Sequence, residues 1–357
     1  MSFYVYQLAV VFLLAWMVSR CQRHWIAWMF VLAVIAVLFV PAAIRCDIGT
    51  DYSLIYVPEF FSDKPTEGIN RWEPGFVAIC DFVQENGLDV QWMFAISSLI
   101  TYLVALLAFP HKGFHWCVFG YFVACYISSY NGVRQQIAIA FMLMAFAFQL
   151  RRKWLLAVAT AVMAPFFHSS ILICLPLAFG VSLAVRMNNK VLGCLFVVVS
   201  ASFLIVNPIE IALDGVSRIP MFEKYVVYAM KEGQMVASGT TGLGHLLWCT
   251  VFVVQAVCLL KYRRCGSCCT IAVWCLVAVV FRLASAKVTL FERFFSTACA
   301  VLPFSLAVLW RLRRDAFCRL AFYGAVAMVM LAFMRNWGFN AFVTCPEEVL
   351  PYRTIFD

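Results

Sequence analysis

Residues 133–153 read VRQQIAIAFMLMAFAFQLRRK, and the fold follows from how that stretch is assembled. Arg134, Gln135 and Gln136 open it, an apolar run follows, and Arg151, Arg152 and Lys153 close it without a compensating acid. At a rise of ~1.5 Å per residue, a helix of this length crosses most of a ~30 Å hydrocarbon layer. Three cations packed at one exit mark a cytoplasmic loop, because short cationic loops resist translocation.

The same unit repeats outward in both directions. Apolar windows fall at 2–19, 25–43, 91–109, 114–130, 133–150, 154–167, 169–185, 191–213, 243–260, 270–288, 294–310 and 316–334, with 154–167 short enough to be tilted or re-entrant. At alternate junctions stand Arg20 with Arg23, Lys112, the 151–153 cluster, Arg186 with Lys190, Lys261 with Arg263 and Arg264, and Arg311, Arg313, Arg314 with Arg319. These joints hold more than half of the 27 Lys and Arg, and Asp315 is the only acid beside them. The remaining acids lie on or near the other side. The expectation is an all-α polytopic membrane protein of about 12 transmembrane or re-entrant helices. It forms one integral domain over 1–357, with both termini and the loops 44–90 and 214–242 external. Span 2–19 lacks a basic lead and a small-residue cleavage site, so it reads as retained.

Composition excludes several classes. A chain 64% hydrophobic and 13% charged, with mean hydropathy +0.90, cannot hide its apolar surface in one soluble core. The net charge of +9 sits in short loops against the bilayer, so it reports orientation and implies no nucleic-acid partner. The 16 Cys are scattered mostly through apolar runs and form no disulfide framework. Cys265, Cys268 and Cys269 make a C-x-x-C-C in a cytoplasmic joint, but no nearby His or second Cys pair completes a zinc site, so no metal is expected. Walker, kinase, H-E-x-x-H and G-x-S-x-G motifs are all absent, which leaves nucleotide-driven pumping and serine or zinc hydrolysis without support.

Function is sought where polar groups interrupt apolar sequence at an energetic cost. The first such knot is Tyr130-Asn131-Gly132-Val133-Arg134-Gln135-Gln136: Gly132 permits a turn, and the helix start behind it offers free N–H groups and a guanidinium fork to an anion. Arg134 reads otherwise as a headgroup anchor. The second is Phe167-His168-Ser169-Ser170, where an imidazole can titrate near neutrality and so act as a base or phosphate ligand, or else His168 packs and leaves Ser169 as an N-cap. The third begins at Arg45-Cys46-Asp47-Ile48-Gly49-Thr50-Asp51-Tyr52 and continues to Arg71-Trp72-Glu73-Pro74-Gly75-Phe76. A turn at Gly49 would let Asp47 and Asp51 face one site, and like charge would lift one pKa toward that of a general base. Tyr52, Tyr56, Trp72 and Phe76 suit stacking on sugar rings. A fourth knot holds Lys287, Glu292 and Arg293, with Arg282 deeper; adjacent Glu292 and Arg293 would pair with other groups rather than each other. Gly239–His245 is glycine-rich and reads as a hinge more readily than as a phosphate loop.

At these residues the chain resembles the EpsG family of bacterial exopolysaccharide polymerases, similar in role to Wzy polymerases. The resemblance rests on Arg45-x-Asp47-Ile48-Gly49-Thr50-Asp51-Tyr52, Glu73-Pro74-Gly75-Phe76, Tyr130-Asn131-Gly132-x-Arg134-Gln135-Gln136, Phe167-His168-x-Ser170, Glu292-Arg293-Phe294 and Pro351-Tyr352-Arg353. It implies a glycosyltransferase joining oligosaccharide repeat units carried on polyprenyl pyrophosphate, at the outer leaflet of a bacterial inner membrane, for exopolysaccharide, capsule or O-antigen. A GT-C-like helical arrangement, no cofactor, and a chain-length regulator and a flippase as partners belong to the same expectation. On this reading Arg134, Arg293 and Arg45 bind pyrophosphate, and Gln135, Asn131, Glu292 and Tyr52 line the substrate. Asp51 is then the first candidate base and His168 the second, with Asp47 and Glu73 as further catalytic acids. The competing classes are a flippase for the same lipid-linked glycan and a membrane O-acyltransferase. A carrier would need polar groups reaching both leaflets, and an acyltransferase would need reactive groups in the cytoplasmic joints.

Overall fold

The computed structural model describes residues 2–62, 72–205, 242–262, 264–286, 290–334 and 352–356. Among them the structure is helical, with one isolated backbone bridge between Arg45 and Thr354. In chain order the main helices are α1 (Ser2–Arg20), α2 (His24–Ile44), α3 (Pro74–Glu85), α4 (Val90–Ala108), α5 (Phe114–Tyr121), α6 (Val133–Leu150) and α7 (Trp154–Met163). They continue with α8 (Cys174–Ala184), α9 (Asn189–Ile205), α10 (Leu243–Leu260), α11 (Gly266–Ser285), α12 (Leu290–Ala298), α13 (Leu302–Arg311) and α14 (Ala316–Phe333).

Seven helical stretches among the described residues are long and apolar enough to cross a membrane: α1, α2, α4, α6, α11, the α12–α13 path and α14. Shorter apolar helices lie at Trp154–Phe166, Asn189–Ser202 and Gly244–Leu260. Several expected spans are helical throughout but change pitch on the way. Window 114–130 runs as α5, then a wide π turn at Phe122–Tyr126, then a tight 3-10 turn at Ile127–Tyr130. Window 294–310 tightens at Cys299–Val301, just ahead of Pro303, whose missing N–H forbids an uninterrupted ladder. The loop 214–242 lies outside the described residues except for Gly242, as do Arg71, Lys287 and Pro351.

Adjacent helices pack as hairpins, α1 on α2, α6 on α7 and α10 on α11, while α4 bridges α2 and α6 and α5 lies between α1 and α13. Buried side chains such as Tyr4, Leu38, Phe94, Phe122, Phe252 and Phe322 fill the interior. Leu155, Leu320, Val198 and Trp25 face outward, an apolar exterior that suits a lipid solvent and not water.

Contacts sort the interhelical joints into two groups. Arg151 Nη2 donates to Ala108 O at 3.2 Å, Ser267 Oγ to Leu150 O at 3.4 Å, and the Arg311 guanidinium to Lys112 O. Lys261 pairs with Asp315, whose Oδ1 also accepts from Phe317 N at 2.8 Å as the N-cap of α14. The lone acid among the basic joints is therefore a helix cap. The basic joints at 112, 151–153, 261–267 and 311–315 touch one another at one end of the bundle. The polar knots meet at the other end.

Candidate functional site

Glu73 is the hub. It is the N-cap residue of α3, whose first-turn Pro74 and Gly75 settle the chain against the turn that follows α7. A Cβ on Gly75 would lie 2.8 Å from Phe166 O, so only glycine allows that approach. The carboxylate of Glu73 is 6% exposed and both oxygens are engaged. Oε2 accepts from Arg134 Nη1 at 2.9 Å. Oε1 accepts from the backbone N–H and the hydroxyl of Ser169, each at 3.0 Å, and lies 3.7 Å from His168 Nδ1. A carboxylate buried this far is stable only when so paired.

Three knots that are distant in sequence thus converge on one carboxylate. Arg134 stands in the first turn of α6, its guanidinium 5.9 Å above the Trp72 ring and beside Tyr56. Its fork keeps donors beyond the one given to Glu73. Ser169 opens the next helical segment, yet its hydroxyl donates to Glu73 rather than capping that segment.

Asp51 forms the second wall. Burial pushes its carboxyl above the ordinary Asp range, while the guanidinium charges of Arg293, Arg134 and Arg45 draw it back. The loop carrying it is pinned to the α6 entry: Asn131 Oδ1 accepts from Thr50 Oγ1 at 3.3 Å and from Asp51 N at 3.4 Å. Gly49 has φ +94°, and a Cβ there would sit 2.6 Å from Asn131 Oδ1 and 2.8 Å from Tyr130 O. Here glycine is required on both conformational and steric grounds. Arg293, exposed on α12, is tied to the same entry because its carbonyl accepts from Gln135 Nε2 at 3.0 Å.

Other expected residues have structural occupations. Asp47 lies exposed, 3.7 Å from Arg353, on a turn where Asp47 and Gly49 both have positive φ. Arg45 is 1% exposed, with its guanidinium 4.7 Å over Phe94 and 5.0 Å over Tyr130, so it acts as a charge beneath the site. Tyr52 stacks on Phe94 at 4.8 Å, and Tyr56 and Phe76 are also buried, so of the four aromatics expected to stack on sugars only Trp72 keeps exposed surface. Glu292 pairs with Arg282, as its adjacency to Arg293 implied, and Arg282 lies 4.7 Å over Phe295. Gly132 has φ −81°, so the turn there does not depend on a left-handed glycine.

The tail was legible only as a motif. Cys46 N donates to Arg353 O at 3.2 Å and Ile355 N to Ile44 O at 3.0 Å, while Tyr352 stacks on Phe3 at 4.2 Å and donates to Pro41 O at 2.7 Å. The strap holds the start of the Asp51 loop. Gln91 adds to this by donating to the carbonyls of Ala43 and Arg45. Among the described residues no trio of His, Cys, Asp or Glu is arranged to hold a metal ion.

Fold and site together define a multi-pass membrane protein whose buried and half-buried acids and arginines meet at one end of its helices, around a paired carboxylate and an arginine at a helix entry, opposite the basic joints. The EpsG family model matches residues 28–354, and the chain belongs to the EpsG family, which places it among polysaccharide polymerase-type membrane proteins. No match was found among curated proteins or among solved structures.

Proposed function

We propose that this protein is a glycosyltransferase that polymerises oligosaccharide repeat units carried on polyprenyl pyrophosphate, at the outer leaflet of the bacterial inner membrane. The observation that carries the proposal is the Glu73–Arg134 pair at the α6 entry with Asp51 and Arg293 beside it. Transfer of a growing chain from pyrophosphate to a hydroxyl needs a base for the acceptor and positive charge for the leaving group. Arg134 and Arg293 meet the second need directly, and buried Arg45 adds long-range potential. Glu73, with both oxygens engaged, aims Arg134 and orders the His168–Ser169 turn. Asp51, held above the usual carboxylate range, takes the proton; His168 is the second candidate. Trp72 offers a face to a sugar ring. Exopolysaccharide, capsule and O-antigen are the product classes that fit such chemistry, with a flippase supplying the substrate and a chain-length regulator as partner.

The full architecture we propose is about 12 crossing or re-entrant helices in a GT-C-like arrangement, with the end that carries Glu73, Arg134 and Asp51 external and the basic joints cytoplasmic. The location of these groups favours a polymerase over a flippase, since they are concentrated at one end instead of lining a path between leaflets. The decisive test is a gene deletion in the native host, followed by sizing of the surface polysaccharide. Loss of long chains with survival of single repeat units supports a polymerase. Accumulation of the lipid-linked unit on the cytoplasmic leaflet would overturn the reading in favour of a flippase.

A further inference from the structure

At the end of the bundle opposite the polar site, Cys265 and Cys268 occupy positions that the polymerase chemistry does not use. Cys265 is the N-cap residue of α11 and is exposed. Its carbonyl accepts from Cys268 N at 3.0 Å and from Cys269 N at 3.2 Å, so the helix starts directly beneath its side chain. Cys268, one turn on, is 3% exposed. Positions i and i+3 at a helix start share a face, so the two cysteine side chains are neighbours. The Cys268 amide, against the opposing effect of partial burial and with smaller help from the Cys268 thiol and the Ser267 amide, holds the Cys265 thiol below its ordinary value. The Arg152 guanidinium comes within 3.5 Å of where a Gly266 Cβ would stand, adding positive charge next to the N-cap. Neighbouring thiols are otherwise placed: Cys269 donates to Val185 O and Cys258 to Phe317 O, while Cys318 is fully buried.

We infer that Cys265 and Cys268 form a thiol–disulfide exchange site, with Cys265 as the attacking thiolate and Cys268 as the resolving thiol. The co-reactant is a disulfide, carried by a small thiol such as glutathione or by a dithiol protein. Cys265 attacks one sulfur of that disulfide, whose S–S bond breaks, and the departing sulfur leaves as a thiol after taking a proton. Cys268 then gives up its proton and attacks the Cys265 sulfur, expelling the second thiol and closing the Cys265–Cys268 bond. Two electrons pass from the protein to the co-reactant, and one disulfide is exchanged for another.

The test uses the full-length protein in detergent micelles, incubated with oxidised glutathione, alkylated, digested and analysed by mass spectrometry. Wild type should yield a peptide with an internal Cys265–Cys268 link, reversed by dithiothreitol. Cys268→Ser should accumulate glutathione on Cys265 at several times the wild-type level, and Cys265→Ser should leave Cys268 unmodified. The inference is overturned if wild type retains as much glutathione on Cys265 as Cys268→Ser does, or if Cys268 links to Cys269 or Cys318. It is equally overturned if Cys265 stays reduced while the exposed Cys194 reacts.

Discussion

Replacing Glu73 by Gln tests the hub of the site without changing its shape. The carboxylate accepts from Arg134 on one oxygen and from the Ser169 amide and hydroxyl on the other. Glutamine has one carbonyl oxygen and one NH2, so whichever way it turns, the NH2 faces an N–H donor that cannot reverse its role. One charge-assisted hydrogen bond is worth about 1.5–3 kcal/mol, and breaking a fully buried pair costs about 3–5 kcal/mol. Because the Arg134 side chain is 20% exposed, water relieves part of that loss, and about 2–3 kcal/mol is expected. A double-mutant cycle isolates the contact: Glu73→Gln, Arg134→Gln and the double variant are compared by SDS-induced unfolding in mixed micelles. A coupling of about 2 kcal/mol is expected, with Glu73→Asp losing less than Glu73→Gln because the charge remains. Coupling below about 0.5 kcal/mol would refute the argument, since the pair would then behave as an exposed ion pair that water replaces at no cost.

Other expectations follow from the same geometry. Arg134→Lys keeps the charge but loses the fork, so polymerisation of purified lipid-linked repeat units should fall roughly 10²-fold while membrane insertion persists; normal polymer length would sink its role. With Asp51 as base, the acid limb of kcat/KM should lie above the ordinary carboxylate value of about 3.9, because burial raises its pKa and the rate falls as the group protonates. Asp51→Asn should abolish turnover, and full activity in both it and His168→Ala would exclude each as the base. The same raised pKa means that protonated Asp51 favours the folded state, a contribution present at acid pH and lost as pH rises through the folded pKa. Asp51→Asn should therefore unfold at a slightly higher temperature than wild type at neutral pH. Gly49→Ala places a methyl against Asn131 and the Tyr130 carbonyl at positive φ, costing about 1–3 kcal/mol, visible as a lower unfolding temperature together with reduced polymer.

Much of this protein is legible along one dimension. The apolar windows fixed the helical class, and the charge at their junctions fixed which joints share an end, because hydrophobic length and loop charge are local properties read against a constant solvent, the bilayer. The contacts of Arg151, Ser267, Arg311 and Lys261 at one end bear out that alternation. The same reasoning picked out Arg134, His168, Asp51 and Arg293 as misplaced polar groups, and all four stand at the other end. Partnership, however, is a property of three dimensions. Nothing local distinguishes Asp47 from Asp51, yet Asp47 lies exposed beside Arg353 while Asp51 is partly buried and feels the charges of Arg293, Arg134 and Arg45. Arg45 and Tyr52 look like ligands in sequence and are wall and foundation in the fold, since burial depends on what packs over a residue. Glu73 was one acid among several until α3, α6 and the 168–169 turn met on it. Sequence determined at which end of the helices the costly groups lie, because span length and loop charge are local; tertiary packing alone decided which of them satisfy one another and which stay exposed, because that depends on what packs over each residue.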